Sequence, residues 1–364
     1  MKKAGSKKKA AIIILLSVIV LLVIGWWAFC VIMYNENFNV RGDSYEPLML
    51  RTEDFDALEC KEYSFSSNNG QKLAGYLYSA GSDQRGIVVI AHGFGGGGHN
   101  SYMDAANYFA ANGYYVFAYD ATGCDKSEGE GVGGVPQGVI DLDHAISFVE
   151  ENKEIPELPV MLFGHSWGGY CVCNVLNYHP EIKAVIECSG FNCSSDMFES
   201  GGKAQAGDVI YAMTPFIKLH ERFKYGKYAS STAMDGFEHT DASILILHSA
   251  DDDVIGIEYG YDKYYEKYKD NPRFTFIRFD NRGHNEVFND PDNTYSDELD
   301  AAFGKWLDTL DYDYKSEENQ ARFQEDKAAY ITENLDRTRW STRLDEDLFA
   351  QFLDFYNTAV SAAE

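Results

Sequence analysis

The sequence predicts an α/β protein built on a doubly wound, mostly parallel β-sheet. From about residue 58 to residue 310, short apolar runs that suit buried strands alternate with longer stretches of helical periodicity. Glycine-rich or acidic turns follow several of the apolar runs, and ligands bind beside the carboxyl ends of the strands in such sheets. Helical periodicity continues in residues 311–364, where we expect a C-terminal helical extension.

The composition limits the class of protein. The chain has 364 residues, of which 45% are hydrophobic, so it can bury the core of one large domain. Its formal net charge is −26, and so acidic a surface repels phosphate backbones. We therefore expect no nucleic-acid partner, and nothing in the sequence indicates an oligomeric state. The seven cysteines match no zinc spacing, and the short separation of Cys188 and Cys193 permits a disulfide without requiring one.

The N-terminal region contains an apolar run that is long enough to span a membrane. Ala10–Met33 carries no charge, and ~20 residues suffice to cross a bilayer. Five lysines precede the run, whereas residues 35–57 after it contain only two basic residues, Arg41 and Arg51. We predict a cytoplasmic tail and signal anchor over residues 1–34, which hold the rest of the chain on the non-cytoplasmic side of the cell membrane. The alternative is a cleaved signal peptide and a secreted protein, although Phe29 is a poor residue for a cleavage site.

The remaining elements follow in order. Residues 35–57 are polar and mixed, and we interpret them as a linker. Strands are predicted at Leu58–Ser66 and Lys72–Ser79 as a hairpin, then at Ile87–Ala91, Tyr114–Asp120, Pro159–Gly164, Lys183–Ser189, Ser243–Ser249 and Arg273–Phe279. Helices are predicted at Ser101–Asn112, Gly138–Asn152, Gly168–Asn177, Asp297–Leu310, 316–334 and 344–360.

One segment is longer than its position requires. Residues 191–243 separate two predicted strands, and this segment, called the cap region below, is expected to cover the site. In residues 344–360 the apolar positions recur at helical spacing, which favours packing on the domain over a partner-binding or membrane-surface helix. Because no motif precedes Leu58, we expect the domain to be active without residues 1–34.

The strongest motif lies at the end of a predicted strand. The segment Gly164-His165-Ser166-Trp167-Gly168 fits the pattern G-x-S-x-G and precedes a helical stretch. A serine hydroxyl is a weak nucleophile, so it must be exposed on a sharp turn within reach of a base. Side chains at Gly164 and Gly168 would crowd neighbouring backbone in such a turn. We predict that Ser166 is a nucleophile; the alternative is a glycine-rich turn with an idle serine.

A glycine-rich loop, His92–Gly98, follows the strand Ile87–Ala91. A tetrahedral oxyanion needs backbone N–H donors aimed at one point. We expect Phe94 in this loop and Trp167 after the serine to supply an oxyanion hole. The loop is not a P-loop because no Lys-Ser/Thr follows its glycines, and the remaining alternative is a flexible loop.

Two later turns supply an acid and a histidine. Asp251–Asp253 end one predicted strand, and His284 follows the last one. A carboxylate that orients a histidine activates a serine, and the chain order serine, acid, histidine suits this sheet. His284 is preferred as the base over His165 and His248, which we interpret as supporting residues. The residues alone leave all three aspartates as candidates.

These motifs resemble those of the α/β-hydrolase superfamily, over about residues 58–310. The chain is most similar to the single-pass or secreted bacterial hydrolases described as serine aminopeptidase-like or dipeptidyl-aminopeptidase/acylaminoacyl-peptidase-like. The match of His248–Ile255 to the family pattern H-G-x-x-D-x-x-V implies Asp252 as the acid, with Ser249 in place of the glycine. Cys124 replaces a second family glycine in another loop. Neither departure removes a catalytic group.

The resemblance implies a membrane-anchored serine hydrolase with the triad Ser166, Asp252 and His284. It implies an acyl-enzyme intermediate, a small-molecule acyl or peptide substrate, and neither cofactor nor metal. The same triad serves an acyltransferase, and an anchored binding protein that has lost catalysis is the alternative from another class. The cap region is partly apolar, which suits acyl or aromatic groups; the residues concerned are Phe191, Met197, Phe198, Met213 and Phe216.

Overall fold

The computed structural model describes residues 2–361 and contains a sheet of eight strands in the order β1-β2-β4-β3-β5-β6-β7-β8. The strands are β1 (Glu59–Ser66), β2 (Lys72–Ser79), β3 (Ile87–Ala91), β4 (Tyr115–Tyr119), β5 (Val160–His165), β6 (Ala184–Cys188), β7 (Ser243–Ser249) and β8 (Phe274–Phe279). β2 pairs antiparallel with β1 and with β4, and the other pairs are parallel. The predicted doubly wound, mostly parallel sheet is therefore confirmed.

Twelve helices accompany the sheet in residues 2–361, and several of them cover its two faces. They are α1 (Lys2–Phe38), α2 (Met103–Ala111), α3 (Gln137–Glu151), α4 (Trp167–Asn174), α5 (Ser194–Ala206), α6 (Val209–Tyr225), α7 (Ala233–His239), α8 (Tyr261–Tyr268), α9 (Tyr295–Leu307), α10 (Gln320–Asn334), α11 (Arg337–Ser341) and α12 (Glu346–Ser361). The predicted boundaries differ by a few residues where local chemistry intervenes. β5 begins at Val160 because Pro159 has no N–H to donate, and α2 begins at Met103 because His99–Tyr102 form a 3₁₀ turn.

Two apolar layers make up the core. On one face, α3, α4, α7 and α8 pack against the sheet, and on the other face α2 and α12 do so. Phe349, Phe352 and Tyr356 of α12 are fully buried, and the Tyr356 hydroxyl donates to the carbonyl of Leu162 at 2.7 Å. The last helix therefore packs on the domain, as its periodicity predicts, and completes the core beside α2.

The residues before the sheet differ from a simple anchor and linker. α1 continues to Phe38, and both Cys30 and Tyr34 are buried against the cap region. Beyond it the chain lies on the domain: the N–H of Leu50 donates to the Asn100 side chain at 2.9 Å, and that side chain donates back to the Leu50 carbonyl. This packing argues against the expectation that residues 1–34 are dispensable, because their removal would open the cluster around Tyr34.

Two features bear on the redox state and the location of the protein: its cysteines and its long N-terminal helix. All seven cysteines lie within the described residues, and none is in a disulfide, so Cys188 and Cys193 are not bridged. Among residues 2–361, α1 is the one helix long and apolar enough to cross a membrane. Its length and composition suit an anchor or a signal sequence alike.

Candidate active site

Ser166 lies on a sharp turn between β5 and α4. Its backbone has φ 57° and ψ −120°, a conformation that L-residues seldom adopt and that is maintained by close packing. A Cβ on Gly164 would lie 2.3 Å from the carbonyl oxygen of Gly168, and a Cβ on Gly168 would lie 1.9 Å from that of Ala91. The two glycines of the motif are therefore required by backbone contact, as expected from the sequence.

Ser166, His284 and Asp252 form one hydrogen-bonded line at the carboxyl edge of the sheet. The Oγ of Ser166 lies 2.8 Å from Nε2 of His284. On the other side of the imidazole, Nδ1 lies 2.7 Å from Oδ2 of Asp252. All three side chains are buried, and they come from the turns after β5, β8 and β7. The structure thus brings the three residues selected from the sequence together, with the imidazole between hydroxyl and carboxylate.

The environment of Asp252 favours its ionised form. Its Oδ1 accepts hydrogen bonds from the N–H groups of Val254 and Ile255 at 2.9 and 2.8 Å, and its Oδ2 also lies 3.2 Å from Nε2 of His248. Burial alone would raise the pKa of Asp252, but the hydrogen bonds from His248 and His284 hold that pKa well below its usual range. A carboxylate is thereby kept beside His284.

The two neighbouring aspartates have other contacts. Oδ1 of Asp251 accepts from the Ser249 hydroxyl at 2.6 Å and from the N–H of Gly283 at 2.9 Å. The Ser249 hydroxyl also accepts from the N–H of Arg282 at 2.9 Å. Asp251 and Ser249 therefore tie the acid turn to the histidine loop, while Asp253 is exposed.

The two proposed oxyanion donors are neighbours. The ring of Phe94 packs edge-on against that of Trp167, with centroids 5.8 Å apart. Trp167 is the first residue of α4, so its N–H precedes the hydrogen bonds of the helix itself. Phe94 follows directly on Gly93, whose N–H donates to the hydroxyl of Tyr102 at 3.0 Å.

A chain of hydrogen bonds joins this loop to the histidine loop. The Tyr102 hydroxyl accepts from Gly93 and lies 2.8 Å from Nδ1 of His165, to which it donates. Nε2 of His165 then donates to the carbonyl of His284 at 2.9 Å. Burial, aided by the nearby His284, lowers the pKa of His165 to about 3, so its ring is neutral and can accept from Tyr102. His165 is thus a positioning residue, as the sequence suggests, whereas no sequence signal marks Tyr102.

A second carboxyl group, that of Glu187, lies near Asp252 and His248 and was not predicted from the sequence. Glu187 of β6 is fully buried, and both its carboxyl oxygens lack a hydrogen-bond partner within the described residues, as does Nδ1 of His248. Burial raises the pKa of Glu187 to about 7. The signal for this group was a lone acid inside the apolar run Ala184–Cys188.

The hydroxyl of Ser166 opens into a cavity of about 760 Å³. Such a volume is within the range of small-molecule sites. Its walls are largely apolar and include residues of α1, of the loop after β3 and of the cap region, together with residues 44–50 and the loop that carries His284. Of the apolar residues noted in the cap region, Met197, Phe198 and Met213 line this cavity, whereas Phe191 is buried in the core against Tyr170.

Comparison with known proteins identifies related chains. Residues 82–223 match the family model described as serine aminopeptidase, S33. The matched segment includes the loop after β3 and Ser166 and ends before Asp252. A monoacylglycerol lipase from Mycolicibacterium smegmatis is 31% identical over 137 residues, which are 35% of this chain and 46% of that protein. The chain therefore matches about half the length of that relative.

Two solved structures resemble the whole domain. An esterase from Pyrococcus furiosus has a TM-score of 0.52 at 18% identity, with 74% of this chain and 96% of that chain covered. An α/β hydrolase from Vibrio vulnificus has a TM-score of 0.50 at 14% identity, with 68% and 80% covered. At these identities the likeness is one of fold. The strand order and these two likenesses show that the chain has the α/β-hydrolase fold.

Proposed function

We propose that this chain is a membrane-anchored serine hydrolase in which Ser166 is the nucleophile, His284 the general base and acid, and Asp252 the residue that orients His284. The observation that carries the proposal is the unbroken line from Asp252 through His284 to Ser166, which ends at the apolar cavity. An oriented imidazole within 2.8 Å of a serine hydroxyl is the arrangement that activates such a nucleophile.

Acylation follows from these positions. The Oγ of Ser166 attacks the substrate carbonyl while Nε2 of His284 takes the hydroxyl proton. The carbonyl oxygen becomes an oxyanion, and the N–H groups of Phe94 and Trp167 stabilise it. The tetrahedral intermediate then collapses: the bond to the leaving group breaks, and the protonated His284 returns its proton to that group. Ser166 is left as an acyl ester.

Deacylation reverses the roles. A water molecule gives a proton to Nε2 of His284 and attacks the acyl carbonyl, and the second tetrahedral intermediate is stabilised at the same two N–H groups. When it collapses, the proton returns to Oγ of Ser166 and the carboxylic acid is released. Asp252 stabilises the imidazolium in both halves and keeps its own negative charge.

An ester of an apolar acyl group is the substrate class that we favour over a peptide. The cavity wall beside Ser166 is largely apolar, which offers few groups to pair with the polar backbone of a peptide. The similar protein from Mycolicibacterium smegmatis is a monoacylglycerol lipase, which agrees with this choice.

We further propose that α1 remains attached as a signal anchor. The buried side chains of Cys30 and Tyr34 belong to a cluster that also contains Ile210, Met213 and Ile217 of the cap region. A helix that supplies part of a folded domain is retained for a structural reason, which supports an anchor over a cleaved signal peptide.

The test uses the purified full-length protein in detergent. A fluorophosphonate should label it, and a short-chain nitrophenyl ester should be hydrolysed faster than an aminoacyl amide. Ser166→Ala should lose both labelling and turnover while its unfolding temperature changes little, since the substitution removes one oxygen. Ser101→Ala, which changes an exposed serine in the 3₁₀ turn beside the cavity, is the matched control and should keep both. Labelling that persists in folded Ser166→Ala would place the nucleophile elsewhere.

A further inference from the structure

The N-terminal helix forms one wall of the cavity. Met33, Tyr34 and Phe38 line it from α1, beside Met213 and Ile217 of the cap region, with which they form one apolar cluster. Phe38 also packs against Phe94, with ring centroids 6.0 Å apart. A substrate bound at Ser166 therefore lies beside the last turns of the same helix that is proposed to cross the membrane.

The edge of a bilayer can be located along α1. At a rise of ~1.5 Å per residue, ~20 residues span the ~30 Å hydrocarbon layer. Counted from the start of the uncharged run at Ala10, that span ends close to Phe29. The large side chains between Ile12 and Ile24 are exposed in the structure, whereas Cys30 is fully buried. The cavity thus begins about one helical turn beyond the hydrocarbon edge.

Helix α6 of the cap region lies beside this edge. Nε1 of Trp26 lies 3.5 Å from the carbonyl of Ala212, and the rings of Trp27 and Phe223 are 6.2 Å apart. On its open side α6 exposes large apolar groups, with Phe223 73% and Leu219 43% accessible.

Basic residues accompany these apolar groups. Lys218 and Arg222 are exposed directly beside Leu219 and Phe223, in a chain whose net charge is −26. A helix that combines exposed aromatic and aliphatic side chains with lysine and arginine is suited to the headgroup layer of a membrane. The apolar surface is continuous with the exposed run of α1, so the same bilayer would cover both.

We propose that the substrate is a single-chain acyl ester resident in the membrane, whose acyl chain enters the cavity from the side on which α1 and α6 face the bilayer. The inference rests on the proposed hydrolase function and on the anchor. α6 lies in the headgroup layer, the carbonyl stops at Ser166, and the apolar tail lies along Phe94 and Met213 toward Met33.

The experiment compares two esters in one preparation. Full-length protein is reconstituted into vesicles of phosphatidylethanolamine and phosphatidylglycerol, and kcat/KM is measured for soluble nitrophenyl acetate and for a palmitoyl ester dissolved in the bilayer. The readout is the ratio of the palmitoyl to the acetyl value. Replacing Leu219 and Phe223 together by Glu should lower that ratio about tenfold or more, because two apolar contacts with the membrane are lost.

Two further variants test whether the effect is specific to the membrane-facing surface and to the cavity. Tyr265→Glu is the matched control, since Tyr265 is 45% accessible and packs against Phe276 of β8 rather than against α1. It should leave the ratio unchanged. Met213→Trp, which fills the cavity where the tail is proposed to lie, should also lower the ratio.

The outcomes separate the two proposals. If the wild-type protein hydrolyses neither ester and is not labelled, the hydrolase function itself is wrong. If it hydrolyses the acetyl ester but the α6 variant keeps the wild-type ratio, only entry from the bilayer is contradicted. An equal change in the Tyr265→Glu control would likewise overturn the inference, because the effect would then follow surface charge in general.

Discussion

The phenol of Tyr34 donates a hydrogen bond to the buried carboxyl of Glu221 and thereby joins α1 to the cap region above Ser166. The other oxygen of Glu221 accepts from the hydroxyl of Ser194 in α5 at 2.5 Å, and Tyr34 itself accepts from the N–H of Val135 at 2.9 Å. One buried network therefore connects the N-terminal helix, two cap helices and the segment before α3.

Tyr34→Phe should destabilise the protein by about 1–3 kcal/mol, because the Glu221 carboxyl and the Val135 N–H each lose a partner in a buried place. The measurement is thermal unfolding of the full-length protein in detergent. A cycle with Glu221→Gln should show a coupling of about 0.5–3 kcal/mol. Tyr265→Phe, at an exposed tyrosine, serves as control. Strict additivity of the two changes would mean that the pair does not hold α1 to the cap.

Glu221→Gln should also change how stability depends on pH. Burial raises the pKa of Glu221 to about 7, although Ser194 and Tyr34 act in the opposite direction. A carboxyl whose pKa is raised on folding binds its proton more tightly in the folded state. Its favourable contribution is complete below the unfolded pKa of about 4.3 and is lost as the pH rises to about 7.

The size of this effect follows from the shift. A carboxyl pKa of about 7 in the folded state, against about 4.3 in the unfolded state, corresponds to about 3–4 kcal/mol. The wild-type protein should lose that much stability relative to Glu221→Gln between about pH 4.3 and pH 7. Chemical unfolding at several pH values measures it. A difference between the two proteins that stays constant with pH would show that Glu221 does not titrate in this interval.

Asp252→Asn should reduce kcat by about 10⁴, the loss known for one such change, since an amide does not hold the imidazole in the required tautomer. Asp251→Asn is the matched control: Asp251 binds Ser249 and Gly283 and makes no contact with the His284 ring. It should cost far less activity, and Asp253→Asn at an exposed position less still. A larger loss for Asp253→Asn would mean that the acid has been assigned to the wrong position in this turn.

The orientation across the membrane is tested in intact cells. Five lysines precede the apolar run and only two arginines lie in residues 35–57, so the domain should be on the non-cytoplasmic side. Protease added outside should digest it while a cytoplasmic marker stays intact. N-terminal sequencing of the mature protein should find residues before Ala10; a start beyond Gly25 would indicate a cleaved signal peptide.

The sequence predicts those residues of the site that lie directly after a predicted strand. Parallel strands bring their carboxyl ends to one edge, so the turns with Ser166, Asp252 and His284 had to meet once the sheet was recognised. The requirement for Gly164 and Gly168 was also readable, because it depends only on the local turn.

Other parts of the site depend on contacts between distant segments. Met33 and Phe38 line the cavity because residues 39–57 fold back over the domain. The hydrophobic periodicity of the sequence does not indicate the course of that segment. In the sequence Tyr102 is an ordinary residue of a predicted helix and Glu221 an ordinary acid of the cap region. Their roles come from partners 63 and 187 positions away. Glu187 left a visible trace, an acid within an apolar strand, which sequence patterns alone did not connect to His248.

The burial of the last turns of α1 has a practical consequence. Hydrophobic tethers are commonly cut from membrane enzymes to obtain soluble samples, on the view that a tether only fixes location. Here Tyr34 and its neighbours belong both to the folded core and to the chamber beside Ser166. A protein that lacks residues 1–34 also lacks part of the cavity wall beside Ser166. Its substrate profile would therefore describe the truncated form rather than the native protein.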